Sequence, residues 1–220
     1  MKYWLKEFTK KSFPDYYWNR LVTKRVLKNK ESFLHVTGWY NSLVAGKPLN
    51  EDGKEIPWLN YGVFHFLRDR LHKDLVLFEY GSGSSTFYFA EQVKKVVSVE
   101  HDRSWYEKII QQKPDNAEIS FEELVINGSY AKKILSYNDQ FDIVLVDGRD
   151  RVNCVKYAVT KLSERGVIIL DNSNRKKYSS VFNWDGLKDF KHITFTGILP
   201  GGFKPDASTV FYRNENCLGI

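Results

Sequence analysis

From Asp74 onward the chain alternates short apolar runs with stretches of helical periodicity, and this alternation limits the architecture more than any other feature. Leu75 to Tyr80 reads as a strand, Ser84 to Gln92 as a helix, Val93 or Lys95 to Glu100 as a second strand and Ser104 to Gln112 as a second helix. Phe141 to Val146 and Gly166 to Leu170 are further buried-type strands, with Val152 to Ser163 as the helix between them. A less marked strand is expected around Ile119 to Ile126. Strands separated by helices must run parallel, joined by right-handed crossovers, so the fold class is α/β. His192 to Thr196 and Ser208 to Arg213 depart from that rhythm. They alternate as strands, and the Pro200-Gly201-Gly202 loop between them suits an antiparallel pair.

Upstream, Tyr61 to Leu71 reads as a helix with Val63, Phe64, Leu67 and Leu71 on one face, and residues 31–59 read as loop because Gly38, Gly46, Pro48, Asn50, Asp52, Gly53 and Pro57 recur at short intervals. The expected organisation is an N-terminal helical and loop extension over 1–59 and a main domain over 60–220. Charge separates the two. Residues 1–30 hold nine Lys or Arg against Glu7 and Asp15, a net of +7 out of a total of +6, so the other 190 residues sum to −1. A near-neutral main domain argues against nucleic acid as its substrate, because phosphate neutralisation supplies most of such affinity. The basic arm interleaves its cations with Tyr3, Trp4, Phe8, Phe13, Tyr16, Tyr17 and Trp18, and Pro14 divides it into two short amphipathic helices with Trp4/Phe8 and Trp18/Val22 as i,i+4 pairs. Such an arm either packs its apolar stripe on the neighbouring domain or lies peripherally on an anionic membrane surface.

The apolar runs fall far short of the roughly 20 residues that span a bilayer. Met1 and Lys2 lead into Tyr3, Trp4 and charges instead of a signal-type segment, so a cytoplasmic location is expected. Cys154 and Cys217 are expected to be reduced thiols, since two cysteines without Cys-x-x-Cys spacing build neither a disulfide framework nor a four-cysteine zinc site.

The chemistry concentrates at strand ends. Glu79-Tyr80-Gly81-Ser82-Gly83-Ser84-Ser85-Thr86 is a strand tip, a glycine turn and a helix start, and Gly81 and Gly83 let backbone approach a ligand. The second strand ends in Glu100-His101-Asp102, where a carboxylate can accept both ribose hydroxyls. A nicotinamide dinucleotide would want a third glycine at Ser85 or Thr86, and Glu79 would repel its pyrophosphate while suiting a cationic amino-acid moiety. Asp147 stands at the tip of the fourth strand, with Asp171 and Asn172 at the tip of the fifth, a set of oxygen ligands suited to Mg²⁺. Equally, Asp147 could serve as a base without metal and Asp171-Asn172 could cap the following segment. Arg149 and Arg151 either grip an anionic substrate or pair with Asp150 and solvent.

Glu79-Tyr80-Gly81-Ser82-Gly83 together with Glu100 resembles motifs one and two of the class I S-adenosylmethionine-dependent methyltransferases, over roughly Leu75 to Arg213. The resemblance implies a Rossmann-like, mostly parallel seven-stranded sheet of order 3-2-1-4-5-7-6 with its last strand antiparallel. It places Gly81 and Gly83, with Ser85 and Thr86 behind them, at the methionine part of S-adenosylmethionine, Glu79 near its ammonium, Glu100 on the ribose and His101 or Asp102 beside the adenine. The Asp147, Asp171-Asn172 pattern is similar to the divalent-cation triad of catechol-type and macrolide-sugar O-methyltransferases. No two prolines are adjacent and neither cysteine follows a proline, so the Asn-Pro-Pro-aromatic loop and the cytosine-C5 nucleophile of nucleic-acid methylases are both missing. The overall texture, especially Phe-Glu-Tyr-Gly-Ser-Gly-Ser-Ser-Thr, Ser-Val-Glu-His-Asp, Val-Asp-Gly-Arg and Leu-Asp-Asn-Ser, resembles uncharacterised bacterial methyltransferases akin to the sugar-modifying groups. The expectation is therefore an enzyme methylating a hydroxyl of a saccharide or other small molecule, with Asp147 central, Mg²⁺ as a candidate cofactor, and Trp58, Tyr61 and Phe203 as pocket walls. A nicotinamide- or nucleotide-dependent enzyme and a non-catalytic binding module on the same fold are the alternatives.

Overall fold

The computed structural model describes residues 2–220, with side chains from Leu5 onward; the side chains of Tyr3 and Trp4, and so the Trp4/Phe8 pair, lie outside the described residues. The chain divides into two compact units, residues 1–55 with 200–202, and residues 56–199 with 203–220.

The first unit begins with α1 (Lys2–Ser12) and α2 (Pro14–Val22), where Pro14 takes the first-turn position that suits its fixed φ and missing N–H. A π-helical turn covers Thr23–Leu27, and α3 (Phe33–Val36) and α4 (Trp39–Ala45) follow. These last two helices occupy a stretch whose glycines read as loop. Gly38 and Gly46 are instead the left-handed residues at either end of α4, with φ of +80° and +67°, and a Cβ on Gly38 would fall 2.3 Å from the backbone of Asn50. The small core of this unit includes Trp39, Ser42 and Leu49. The Trp39 indole donates to the Gly202 carbonyl at 2.6 Å, which brings the 200–202 turn into this unit. From Leu5 to Val36 no described side chain is buried.

The second unit holds α5 (Tyr61–Arg68), β1 (Val76–Tyr80), α6 (Ser84–Gln92), β2 (Lys95–Glu100), α7 (Arg103–Ile109), β3 (Ala117–Phe121), α8 (Ser129–Lys132), β4 (Phe141–Val146), α9 (Arg151–Val159), β5 (Leu162–Leu170), β6 (Lys191–Ile198) and β7 (Pro205–Tyr212). Among the described residues seven strands form one sheet in the order β3-β2-β1-β4-β5-β7-β6, the order the resemblance implies. β1 to β5 run parallel, with Phe78 opposite both Val97 and Val144, and β7 is antiparallel to β5 and β6. Strand side chains alternate between two covered faces. Phe78, Tyr80, Val144 and Val146 join Tyr130, Val155 and Ala158 on one side, while Leu77, Ile143 and Leu145 join Val63, Leu67, Phe89 and Val93 on the other.

Several boundaries differ from the sequence reading. β3 is shorter and starts earlier, because Val125 and Ile126, which look like strand residues, are exposed beyond its end. α9 stops at Val159 and β5 starts at Leu162, where Leu162 pairs with Phe141 before a register shift that precedes Ile143 opposite Val167. A Cβ on Gly166 would lie 2.7 Å from the Phe141 carbonyl, so glycine permits that irregularity. α5 ends at Arg68, with the Arg70 and Leu71 amides closing a final turn on Leu67. Among the described residues no helix is long and apolar enough to cross a membrane.

Candidate functional site

In a parallel sheet the C-terminal strand ends collect loops and helix N-termini, and ligands bind there. A cavity of about 540 Å³ lies at the ends of β1, β2, β4 and β5 in the second unit, and its lining includes Glu79, Gly81, Glu100, Trp105, Asp147 and Arg175. Its size suits a cofactor-sized molecule.

The glycine turn forms one wall. Gly81 has φ +97°, a conformation L side chains rarely adopt, and its amide donates to the Val99 carbonyl at 2.9 Å while its carbonyl accepts the Ser98 hydroxyl at 2.7 Å. Across the turn, a Cβ on Gly148 would coincide with the Tyr130 hydroxyl at 1.9 Å, so the β4 end also needs glycine. Glu79 is buried at the β1 tip beside the start of α6 and accepts the hydroxyls of Ser85 and Thr86, the latter at 2.6 Å. Burial raises its carboxyl to about 7 against the lowering effect of those two hydroxyls. Gly83 precedes α6, and its amide donates to Thr86 Oγ1 at 3.0 Å, holding the helix start in place.

Glu100 organises the second wall. One carboxylate oxygen accepts the backbone amide and hydroxyl of Ser82 at 3.1 and 3.0 Å; the other accepts the amides of His101 and Asp102 at 2.7 and 2.8 Å. The His101 ring lies 2.9 Å from the same carboxylate. Asp102 caps α7 through the Trp105 amide, and that hydrogen bond together with the Ser104 hydroxyl lowers its carboxyl. Trp105 closes the rim, its indole donating to the Ser82 carbonyl at 2.8 Å. Glu79, Gly81, Ser85, Glu100, His101, Asp102 and Asp147 therefore share one cavity, while Gly83 and Thr86 stand just behind its lining.

At the β4 and β5 tips the buried Arg151 guanidinium bridges two carboxylates. It donates to Asp147 Oδ1 at 2.9 Å and to the Asp147 carbonyl at 2.7 Å, to the Gly148 carbonyl at 2.9 Å and to the Asp171 carbonyl, and it lies 3.7 Å from Asp171 Oδ2. Asp171 Oδ1 accepts the Ser208 hydroxyl at 2.7 Å, which in turn accepts the Asn60 amide at 2.9 Å. Burial and the neighbouring Asp171 charge hold the Asp147 carboxyl well above the usual range, with Arg151 pulling the other way. Asn172, left-handed with φ 48°, turns its amide to both carboxylate oxygens of Asp206 at 3.1 Å. Burial, and then the Asp171 charge, raise Asp206.

These residues do not fit a divalent cation. A guanidinium fills the space between Asp147 and Asp171, the remaining Asp171 oxygen is taken by Ser208, and Asn172 directs its amide N–H groups away to Asp206. Among the described residues no group of three or more His, Cys, Asp or Glu is arranged to hold a metal. Arg151 likewise has its donors committed to the protein, so of the two expected substrate-gripping arginines the exposed Arg149 retains that capacity. Trp58, Tyr61 and Phe203 do not line this cavity: Tyr61 is packed in the core at 2% exposure, and Trp58 and Phe203 are 51% and 73% exposed. Sequence reasoning missed Trp105, whose place in the first turn after the acidic strand tip was the available signal. It also missed Arg175, and the Asn60 to Ser208 link across 148 positions, which no local pattern reveals.

No family model and no curated protein matches the sequence. Solved structures do match. The O-methyltransferase TomG from Streptomyces achromogenes, in complex with S-adenosylmethionine, is 17% identical with a TM-score of 0.54 over 69% of this chain and 78% of its own. An rRNA methylase from Streptococcus thermophilus is 13% identical with a TM-score of 0.52 over 72% of this chain and all of its own. The N-methyltransferase NodS from Bradyrhizobium japonicum, in complex with S-adenosylhomocysteine, is 13% identical with a TM-score of 0.50 over 69% and 85%. With the strand order and the reversed β7, these likenesses establish that the chain has the fold of the class I S-adenosylmethionine-dependent methyltransferases.

Proposed function

We propose that the chain is an S-adenosylmethionine-dependent methyltransferase acting on a hydroxyl of a saccharide or other small polar molecule. The observation that carries this reading is where the cavity's charges sit: Glu79 and Glu100 stand at the tips of β1 and β2 beside the glycine turn with Asp102 next to them, while Arg149, Arg151 and Arg175 line the cavity on the β4 and β5 side with Asp147. At the glycine turn, Glu100 and Asp102 would repel a pyrophosphate, and Glu79, ionised above about 7, would favour a ligand with an ammonium and a sulfonium, which weighs against the nicotinamide alternative. S-adenosylmethionine, when bound, supplies an electrophilic methyl group on a positively charged sulfur.

The chain's own residues do the rest. Glu79 pairs with the cofactor's ammonium, Glu100 exchanges its Ser82 contacts for ribose hydroxyls, and Trp105, His101 and Asp102 border the adenine. Asp147 takes the proton of the attacking hydroxyl, and a carboxyl held above its ordinary range is a stronger proton acceptor than a solvated one. Arg151 positions that carboxylate from behind and stands where a cation would, so no step needs Mg²⁺. Arg149 and Arg175 are the exposed cations left to orient an acceptor. Most of the basic charge lies in residues 1–30, and residues 56–199 with 203–220 sum to only +1, which keeps nucleic acid a poor acceptor.

Calorimetric titration with S-adenosylmethionine, S-adenosylhomocysteine and NAD tests the cofactor. Micromolar binding of the first two, lost in Glu100→Ala, supports the reading, and preferential NAD binding overturns it. Acceptor screening by mass spectrometry, with and without EDTA, then tests the transfer. Cofactor binding with no turnover on any hydroxyl acceptor would favour a binding module.

A further inference from the structure

The basic arm is the largest feature the proposed chemistry leaves unused. α1 and α2 are 11 and 9 residues long, too short to be stable as isolated helices, so their helicity needs a surface to pack on. Yet no described side chain from Leu5 to Val36 is buried, and Leu5, Phe13, Tyr16, Trp18, Val22 and Leu27 are all large apolar groups left exposed. Charge is equally unanswered, because among the described residues no Lys or Arg between 6 and 30 forms an ion pair.

These cations are gathered as well as numerous. The wide π turn over Thr23–Leu27, closed by the Lys28 amide on the Thr23 carbonyl at 3.0 Å, brings Arg20, Lys24, Arg25 and Lys28 around a cleft of about 700 Å³ with Thr23 and Asn29. No acid lines it. Lys10 lies 5.7 Å from the Trp18 ring centroid, so charge and aromatic surface meet on the same helix pair.

A partner for this surface must be both anionic and apolar. A nucleic acid supplies phosphate but no apolar phase for Leu5, Val22 and Leu27. A second copy of the arm supplies apolar surface but the same net charge of +7. An anionic bilayer supplies both, phosphates at the depth of the cations and acyl chains below them. We propose that residues 1–30 form a peripheral membrane anchor, with the Arg20–Lys28 cleft taking lipid phosphates and Trp18, Val22 and their neighbours entering the interface.

The test is sedimentation of the 220-residue chain with vesicles of phosphatidylcholine alone or containing about 30 mol % phosphatidylserine, a content that gives an appreciable negative surface potential. Binding to the anionic vesicles should exceed binding to neutral ones by on the order of tenfold and fall as salt rises. The R20Q/K24Q/R25Q/K28Q variant should lose that preference while keeping its circular dichroism and melting temperature. Trp18→Ser should weaken binding on anionic vesicles without abolishing its salt dependence. Equal binding to both vesicle types overturns the proposal, as does no binding at low salt. Competition by a duplex of equal phosphate content that strips the chain from the vesicles also overturns it, as does a dimer in light scattering that protects Trp18 from quenching.

Discussion

β4 and α2 are both short, aromatic-rich or apolar segments of a 220-residue chain, and they end in opposite places. Every residue of β4 except Asp142 is buried between two covered faces, while α2 buries nothing. The difference lies in neighbours more than in composition. A strand such as Ile143-Val144-Leu145-Val146 is hydrophobic on both sides and has a helix layer waiting on each, whereas Tyr16, Trp18 and Val22 share their helix with cations that must stay in water. The sheet unit is stabilised from within; the arm's stability depends on what it meets.

That contrast can be broken in measurable ways. The largest expected effect is on chemistry: Asp147→Asn should lower turnover by about 10² to 10⁴, the usual range for a general base, with S-adenosylmethionine affinity little changed in calorimetry. In the sheet unit, Phe78→Ala should cost about 3 to 5 kcal/mol in denaturant unfolding because Phe78 is fully buried between Tyr80, Tyr137 and Phe141. Arg151→Met should destabilise by a similar 3 to 5 kcal/mol or so, since it strands Asp147 and Asp171 together, and EDTA should leave wild-type turnover unchanged.

A smaller effect is expected from pH. Glu79 titrates at about 7, so its attraction for a cationic ligand is full above that value and is lost as pH falls through it. Affinity should drop by up to roughly tenfold per pH unit below 7, and Glu79→Gln should flatten the profile. The same shift means that the free protein loses stability as pH rises from 4.5 to about 7, because the unfolded chain releases that proton first. Smallest of all, Trp18→Ala should change the unfolding free energy by no more than about 0.5 kcal/mol, which a melting curve would register as almost no shift. A large loss there would mean the arm is tied into a core after all.

The same contrast explains what could be read in advance. Ser84–Gln92 and Phe141–Val146 have the expected bounds, because helical and buried-strand periodicities are local properties of sequence. α3 and α4 were hidden because Gly38 and Gly46 carry the same letter whether they make a loop or flank a helix. In the cavity, Glu79, Gly81 and Glu100 were legible from one motif. Arg151 was not: its partners are carbonyls and carboxylates set by the ends of two strands, one of them 20 positions away, so only the folded chain reveals that it braces Asp147. Trp58 and Phe203 failed as pocket walls for a related reason, since proximity to a sheet edge in sequence order does not fix which way a loop side chain faces.

The turn over 200–202 carries a consequence for the order of synthesis. A ribosome releases Trp39 and its helix early, but the carbonyl of Gly202 that satisfies the indole arrives after β6. The unit formed by residues 1–55 is therefore completed only once 200–202 emerge, and a nascent protein halted before residue 200 would carry α4 with the Trp39 indole still without its Gly202 acceptor.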